Sequence, residues 1–208
     1  SVFPPPVAAN VVDRAVKRPG KPLSILWCHR WEYDKNPEAF FDVLLKLDEA
    51  GCAFELVILG EQFRTAPPVF GESWDRLKPH IRHTGFIRDR AEYLATLAEC
   101  ELVVSTAIQE NFGIAVVEAV LAGCEPLLPN RLAYPEVIPP EFHDKCLYAV
   151  DGDLFICLKR RLDGDAGLST GEMTALMASL EARFGASSSV KAIDDELERI
   201  ACDADCGL

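Results

Sequence analysis

Residues 100–136, CELVVSTAIQENFGIAVVEAVLAGCEPLLPNRLAYPE, carry the pattern that decides the fold. Leu102–Val104 is a short apolar run with two β-branched residues, which predicts a buried strand. From Gly113 onward apolar residues recur at three- and four-residue spacing, which predicts a helix that ends at Gly123. Glu125–Pro129 predicts the next buried strand. Strand, loop, helix and strand in this order form the βαβ unit of a parallel sheet.

Two carboxylates of this stretch, Glu110 and Glu118, indicate a ligand site. Glu110 lies in the loop at the carboxyl end of the first predicted strand, where open α/β sheets bind ligands. Gly113 would let a ligand approach free N–H groups and the positive end of the helix dipole, which favour an anion. Glu118 lies roughly 7 Å further along the helix axis. That separation suits a phosphate at the helix end and ribose hydroxyls at Glu118, with sugar hydroxyls at Glu110. Exposure of both glutamates to solvent is the alternative interpretation.

The rest of the chain predicts further strands alternating with helices. The other predicted strands are Leu23–Cys28, Phe54–Leu59, Ile81–Gly85 and 145–148. The predicted helices are one from Asn36 as N-cap to Gly51, a short one within 71–79, and others over 89–99, 134–138, 154–162, 171–184 and 190–202. We therefore expect an α/β fold with a Rossmann-like doubly wound parallel sheet over residues 23–150. A linker or entering arm over 1–22 would precede it, and a helical tail over 151–208 would complete it.

Composition limits the class of protein. The chain has 208 residues, of which 49% are hydrophobic, enough for the core of one ordinary domain. Its net charge of −12 argues against unspecific binding to nucleic acid or to an anionic membrane. No run approaches the roughly 18 apolar residues of a membrane span, and the first eleven residues lack the basic segment of a signal peptide. The eight cysteines form no C-x-x-C pair. We therefore expect a reduced cytoplasmic protein, with the nucleus as the other compartment considered.

The segment ENFGIAVVEAVLAGCEP resembles the Glu-x7-Glu signature of the retaining glycosyltransferases of family four, which have the GT-B fold. The residues that match this signature are Glu110, Phe112, Gly113, Glu118, Ala119, Gly123 and Pro126. The likeness is close over roughly residues 22–150, which would be the C-terminal, donor-binding half of a GT-B enzyme. It implies that the acceptor binds mainly to an N-terminal domain outside this chain, so that the chain alone has little or no turnover.

The resemblance also implies roles for individual residues. Arg30 and Lys35 would hold the diphosphate of a nucleotide sugar, and with Glu110 they would form the catalytic set, without a nucleophile being assigned. Two fixed cations stabilise the charge that a nucleoside diphosphate gains as it leaves, although loop cations are commonly only solvated. The residues implied in donor binding are Gly60, Phe86, Ile87, Asn111, Phe112, Gly113, Ile114, Glu118 and Glu136. Neither a metal nor a cofactor is expected by this analogy.

Three segments resemble one branch of the family more closely. ILWCHRWEYDKNPEAFF, STAIQENFGIAVVEAV and PNRLAYPEVIP are similar to the tRNA-queuosine α-mannosyltransferases, and HRWEYDKNP departs from the Gly-Arg-Leu that family four usually has there. This likeness implies GDP-mannose as the donor and queuosine in a tRNA anticodon as the acceptor. The alternatives are another donor with a glycan or lipid acceptor, and a non-catalytic nucleotide-binding module. The candidates for a tRNA-facing patch, or else for solvated faces, are Arg64, Arg76, Lys78, Arg82, Lys159, Arg160 and Arg161.

Overall fold

The computed structural model describes residues 5–7, 22–61, 67–149, 151–165 and 167–205. The strands in these residues are β1 (Leu23–Cys28), β2 (Phe54–Leu59), β3 (Ile81–Gly85), β4 (Leu102–Val104), β5 (Glu125–Pro129) and β6 (Leu147–Tyr148). Five of them have the predicted bounds. The strand predicted over 145–148 is shorter, because Lys145 and Cys146 belong to the helical turn before it.

Helices connect and cover the strands. They are α1 (Pro37–Glu49), α2 (Val69–Glu72), α3 (Trp74–Leu77), α4 (Arg90–Ala98), α5 (Ile114–Leu121), α6 (Tyr134–Val137), α7 (His143–Cys146), α8 (Asp151–Leu162), α9 (Thr170–Phe184) and α10 (Ala186–Asp205). The single short helix predicted over 71–79 is instead α2, α3 and a 3-10 turn, Lys78–His80. The last helix begins at Ala186 rather than at residue 190.

The strands form one parallel sheet in the order β3-β2-β1-β4-β5-β6. This is the order of a doubly wound Rossmann-like sheet, so the predicted fold class is confirmed. The chain moves outward from β1 to β3 and then returns to place β4 on the other side of β1. Ligands of such sheets bind outside the carboxyl ends of the two strands at this reversal, which here are β1 and β4.

Alternating residues of the strands pack on opposite faces of the sheet. Trp27 and Ile58 lie in one core cluster with apolar residues of α1, α3 and α8. Leu26 and Val103 lie in the other, with apolar residues of α4, α5 and α9. Because side chains alternate along a strand, strands buried on both faces read as nearly continuous apolar runs. This is why the strand bounds could be predicted from the sequence.

Two helix ends follow from glycines. Gly51 and Gly123 lie just beyond α1 and α5 with φ of 71° and 102°, and each donates its N–H to a carbonyl three residues back. This left-handed ending favours glycine, as predicted for both positions. The predicted N-cap of α1 is different, because Asn36 has a left-handed backbone and its side chain makes no capping hydrogen bond. Its place directly after a 3-10 turn, Tyr33–Lys35, accounts for this backbone, which Asn tolerates better than most residues.

The predicted entering arm lies mostly outside the described residues, apart from 5–7 and Pro22. Val7 is buried and pairs with Gly185 in a parallel bridge between α9 and α10. Its N–H donates to the carbonyl of Phe184 at 2.8 Å, and its carbonyl accepts the N–H of Ala186 at 3.1 Å. The described part of the arm is therefore fixed to the junction of the last two helices.

Candidate functional site

The loops that follow β1 and β4 lie against one another at the carboxyl edge of the sheet. The N–H groups of Ile108 and Gln109 donate to the carbonyl of Asp34 at 2.9 and 3.2 Å. The hydroxyl of Thr106 donates to the carbonyl of Lys35 at 2.9 Å. The two sets of candidate residues, far apart in sequence, are thus brought together as predicted.

Lys35 is buried at the contact of these loops. Its Nζ donates to the carbonyl of Gln109 at 2.7 Å and to Oε2 of Glu110 at 3.3 Å. Oδ2 of Asp34 lies 3.1 Å from the same nitrogen. A buried ammonium requires such compensation, because its desolvation is costly. Lys35 therefore fixes the orientation of the Glu110 carboxylate through its contact with Oε2.

The other carboxylate oxygen of Glu110 closes its own turn. Oε1 accepts the N–H groups of Asn111, Phe112 and Gly113 at 3.1, 3.3 and 3.0 Å. The N–H of Gly113 is therefore engaged by Glu110 and is not among the free N–H groups of this helix end. The N–H groups without an acceptor inside the helix are those of residues 114–116, the first turn of α5. These groups and the helix dipole still favour an anion at this end.

Gly113 itself is required by the backbone. Its φ is +88°, and a Cβ atom there would lie 3.1 Å from Cε1 of Tyr134. Tyr134 is fully buried, and its hydroxyl lies 2.7 Å from Oγ of Ser105. The glycine thus lets the helix begin against a fixed aromatic ring.

Glu118 lies just over one turn into α5 and is buried. Its Oε1 accepts a hydrogen bond from Arg90 at 2.5 Å, and its Oε2 accepts one from the hydroxyl of Tyr93 at 3.1 Å. The bond to Glu118 raises the pKa of Arg90, and burial raises the pKa of Tyr93, with the negative charge of Glu118 adding to the effect. Sequence reasoning missed Arg90 and Tyr93 as site residues. The available signal was their three-residue spacing, which puts them on one face of α4.

Arg30 and His29 follow β1 directly. Arg30 is half exposed and pairs with Glu32 at 3.0 Å. His29 is buried, its Nε2 has no hydrogen-bond partner in the described residues, and burial lowers its pKa to about 4. The imidazole is therefore neutral at pH 7. Trp31, which follows Arg30, is buried and stacks on Phe70 at 4.4 Å between ring centroids.

Gly60 permits the close approach of β2 to the loop after β1. Its φ is +151°, and a Cβ atom there would lie only 1.8 Å from the carbonyl oxygen of His29. Its N–H donates to the carbonyl of Gly85 at 3.1 Å. No side chain fits at this position.

Two cavities open at this edge. The first, of about 420 Å³, is named the arginine cavity after Arg30, Arg88 and Arg90 in its wall. The predicted residues that line it are Arg30, Gly60, Phe86, Ile87 and Glu118. The second, of about 660 Å³, is named the glutamate cavity. The predicted residues that line it are Glu110, Asn111, Phe112, Gly113, Ile114 and Glu136.

The start of α5 joins the two cavities, since Ile114 lines the glutamate cavity and Ala115 lines the arginine cavity. Lys35 lies beneath Glu110 and lines neither of them. The arrangement fits an elongated ligand with an anionic centre at the helix end. Hydroxyl groups on either side of that centre would meet Glu118 and Glu110.

The basic clusters considered for a nucleic-acid surface are largely paired with acids. Arg76 bonds to Asp48 and Glu49 at 3.1 Å each. Arg161 is buried against Glu125 at 3.0 Å, so its assignment to a surface patch is wrong. The other ion pairs of these clusters join Arg82 to Glu55 and Glu99, Lys159 to Asp163, and Arg160 to Asp165. Arg64 lies outside the described residues.

Within the part of the chain that the structure describes, no three His, Cys, Asp or Glu side chains are grouped as a metal site would require. The six described cysteines whose side chains are placed are free thiols. None of the described helices combines the length and the apolar character needed to cross a bilayer.

Comparison with known proteins identifies the family. The sequence model of the family "Glycosyl transferases group 1" matches residues 11–150. The chain belongs to this family. The predicted resemblance is thereby confirmed.

Two curated relatives share part of the chain. A tRNA-queuosine alpha-mannosyltransferase of Drosophila melanogaster is 40% identical over 121 residues, which are 58% of this chain and 32% of the relative. A GDP-mannose-dependent alpha-(1-6)-phosphatidylinositol dimannoside mannosyltransferase of Mycobacterium tuberculosis is 29% identical over 121 residues, 56% of this chain and 29% of the relative. The chain thus matches about a third of the length of these relatives.

A solved structure supports the fold. A lipopolysaccharide outer core galactosyltransferase in its apo form superposes with a TM-score of 0.73 and 17% identity. The match covers 96% of this chain and 55% of the other. At this identity the likeness shows the shared fold and carries no statement about substrate.

Proposed function

We propose that this chain is the donor-binding part of a glycosyltransferase that binds a nucleotide sugar, GDP-mannose. The observation that carries the proposal is the pair of cavities that meet at the start of α5, with Glu118 in one and Glu110 in the other. A nucleotide sugar has hydroxyl-bearing rings on both sides of a diphosphate. The nucleoside would occupy the arginine cavity, the diphosphate would lie at the helix end, and the sugar would enter the glutamate cavity.

Stabilisation of the leaving group would come from fixed positive charge. When the glycosidic bond breaks, negative charge grows on the nucleoside diphosphate. The first-turn N–H groups of α5 and the guanidinium of Arg30 are placed where they would meet that charge. Arg30 pairs with Glu32 at 3.0 Å in this structure, so it would exchange this exposed contact for the diphosphate. Lys35 would contribute its charge from beneath Glu110.

Glu110 would act by position. Three backbone N–H groups on Oε1 and Lys35 on Oε2 fix its orientation. Oε2 keeps lone pairs that can accept a hydrogen bond from a sugar hydroxyl. The proposal assigns no covalent nucleophile, and it places the acceptor and any general base outside this chain. Transfer with retention of anomeric configuration belongs to the same proposal.

The names of the relatives support mannose as the sugar. Both are named mannosyltransferases, and the second is named as GDP-mannose-dependent. For the acceptor we propose queuosine in tRNA, because the more similar relative carries that name and because the segment HRWEYDKNP begins with two residues, His29 and Arg30, that line the arginine cavity. A tRNA acceptor would imply the cytoplasm or the nucleus as the compartment. A lipid acceptor is the alternative, since the second relative is named for one.

Calorimetric titration of this chain with GDP, GDP-mannose and UDP tests donor binding. Lys35→Met and Glu118→Gln should weaken binding of GDP about tenfold or more, since hydrogen bonds to charged groups contribute roughly 1.5–3 kcal/mol. Lys159→Met removes a lysine paired on the surface of α8 and serves as the matched control. Thermal unfolding of each variant shows that it is folded. A wild-type chain that binds none of the three ligands would refute donor binding, and a preference for UDP would refute GDP-mannose.

The acceptor is tested with a whole enzyme that carries this chain. Transfer of labelled mannose from GDP-mannose to tRNA should require queuosine in the anticodon. Matched tRNA with unmodified guanine at that position is the control. Equal labelling of both tRNAs, or labelling of lipid extract alone, would overturn the acceptor assignment and leave the donor assignment in place.

A further inference from the structure

One end of the arginine cavity has side chains that the proposed function has not used. These are Glu61, Phe86 and Arg88, which line the cavity where β2 and β3 end. Leu59 pairs with Gly85 in the sheet, and the N–H of Gly60 donates to the carbonyl of Gly85 at 3.1 Å. The residues that follow these glycines therefore leave the sheet side by side.

The proposed function places the base of the nucleotide at this end. The diphosphate would lie at the start of α5, which contacts β1 through a hydrogen bond from Cys28 Sγ to the carbonyl of Ala115 at 3.6 Å. Strands β2 and β3 lie beyond β1 in the sheet. A nucleoside that extends away from α5 past Glu118 therefore brings its base to Glu61 and Arg88. The inference rests on the proposed function to this extent.

Glu61 and Arg88 differ from the other charged residues of the cavity. Glu118, Arg90 and Arg30 are each engaged by another side chain. The side chains of Glu61 and Arg88 are exposed, and neither forms an ion pair or a hydrogen bond with the described residues. Opposite charges thus line the same end of one cavity without neutralising each other. Such a pair is available for a ligand that has donors and acceptors next to one another.

Guanine is the base with that pattern. Its N1–H and N2 amino group are adjacent donors, for which a carboxylate is the complementary acceptor. Its O6 and N7 are adjacent acceptors, to which arginine donates two parallel hydrogen bonds. Uracil has a single N–H between two carbonyls, and adenine presents an amino group where guanine has O6. Phe86, with 61% of its surface exposed, adds a ring face on which any base can stack.

We propose that Glu61 and Arg88 select guanine, with the Glu61 carboxylate accepting from N1–H and the 2-amino group and Arg88 donating to O6 and N7. The two residues are specificity determinants of the donor site. They contact only the base. The contacts to the diphosphate and the ribose do not involve them and are the same for all nucleotides. GDP and UDP should therefore differ in affinity by about tenfold or more.

Titration of three nucleotides separates the two side chains. Inosine diphosphate has O6, N7 and N1–H of guanine but lacks the 2-amino group. In Glu61→Gln the affinity for GDP should fall about tenfold and the preference for GDP over inosine diphosphate should be lost. In Arg88→Gln the affinities for GDP and inosine diphosphate should fall together by a similar factor. Neither substitution should change the affinity for UDP more than about twofold.

Glu141→Gln and Arg160→Gln are matched controls, because both residues are exposed and neither lines the arginine cavity. If both site variants keep the wild-type preference for GDP, the guanine assignment is wrong although donor binding stands. If Lys35→Met weakens all three nucleotides, while Glu61→Gln weakens GDP more than inosine diphosphate and leaves UDP unchanged, the assignment is supported. A wild-type chain that binds no nucleotide would refute the proposed function and this inference with it.

Discussion

The two ends of the sheet both contain buried charge but use it differently. At the amino end, Arg161 pairs with Glu125 at 3.0 Å, and Oε1 of Glu125 also accepts the N–H of Leu168 at 3.1 Å. At the carboxyl end, Glu110 and Glu118 are equally engaged, and the charged residues of both ends line cavities. The pair at the amino end joins α8, β5 and the loop before α9. Buried charge therefore does not by itself mark a site; the position of Glu110 and Glu118 beside the carboxyl ends of β1 and β4, where ligands of doubly wound sheets bind, distinguishes the carboxyl end.

The largest effect is expected from breaking the amino-end pair. Arg161→Met leaves the carboxylate of Glu125 buried without its cation, which should lower the free energy of unfolding by about 3–5 kcal/mol. Urea denaturation measures the change. The affinity for GDP of the folded fraction should stay at the wild-type value. Replacement of both partners, Arg161→Met with Glu125→Leu, should restore much of the stability, and a loss of GDP binding in the folded protein would show that the two ends are coupled.

The two ends should also respond differently to acid. Burial lowers the pKa of His29 at the carboxyl end from 6.5 to about 4. The unfolded chain therefore binds more protons between these values, and stability falls as pH drops from about 6.5 to about 4, by roughly 3 kcal/mol in all. Lys145, next to the amino end of β6, donates a hydrogen bond to Glu172, and this bond is the main reason why the pKa of Glu172 is lowered from 4.5 to about 2. The stability that this pair contributes is therefore lost only at lower pH, as the pH falls from about 4.5 to about 2.

Urea denaturation at several pH values measures this slope, and His29→Asn is the control because it removes the titrating group. The variant should show a flatter profile between pH 6.5 and 4. The charges nearest to His29 are Glu110, Lys35 and Asp34. An unchanged slope in His29→Asn would show that the imidazole is not the source of this pH dependence.

The comparison also shows what the sequence can reveal. The strands Leu102–Val104 and Glu125–Pro129 have the bounds that the apolar runs predicted. The spacing of Glu110 and Glu118 pointed to the two carboxylates that line the two cavities. Arg90 was not predicted because its three-residue spacing from Tyr93 indicates only that the two share a face of α4, and the packing of that face beside Glu118 has no signature in the local pattern. The burial of Arg161 escaped prediction for the same reason, since its partner Glu125 is 36 residues away and only the sheet brings them together.

A smaller effect, on binding rather than folding, is expected at Glu118. Glu118→Gln should weaken GDP about tenfold, because a neutral amide accepts ribose hydroxyl bonds less strongly than a carboxylate. The control ligand is 2′,3′-dideoxy-GDP, which lacks the ribose hydroxyls. It should bind more weakly than GDP, and with the same affinity to the wild type and to Glu118→Gln. Calorimetry with both ligands measures the ratio of the two affinities in each protein. Equal weakening of the two ligands would mean that Glu118 acts by holding Arg90 and not by contact with ribose.

The smallest effect is expected for the exposed pairs that belong to neither end. Arg76 bonds to Asp48 and Glu49 with about half of its side chain exposed. Exposed ion pairs contribute little and are screened by salt. Arg76→Gln should therefore leave both the unfolding midpoint and the affinity for GDP unchanged. In a whole enzyme it should also leave the affinity for tRNA unchanged, because the two acids already neutralise this arginine. A clear loss of tRNA binding would show that the pairs open on contact with the acceptor, and it would restore the helices α1 and α3 as part of a tRNA surface.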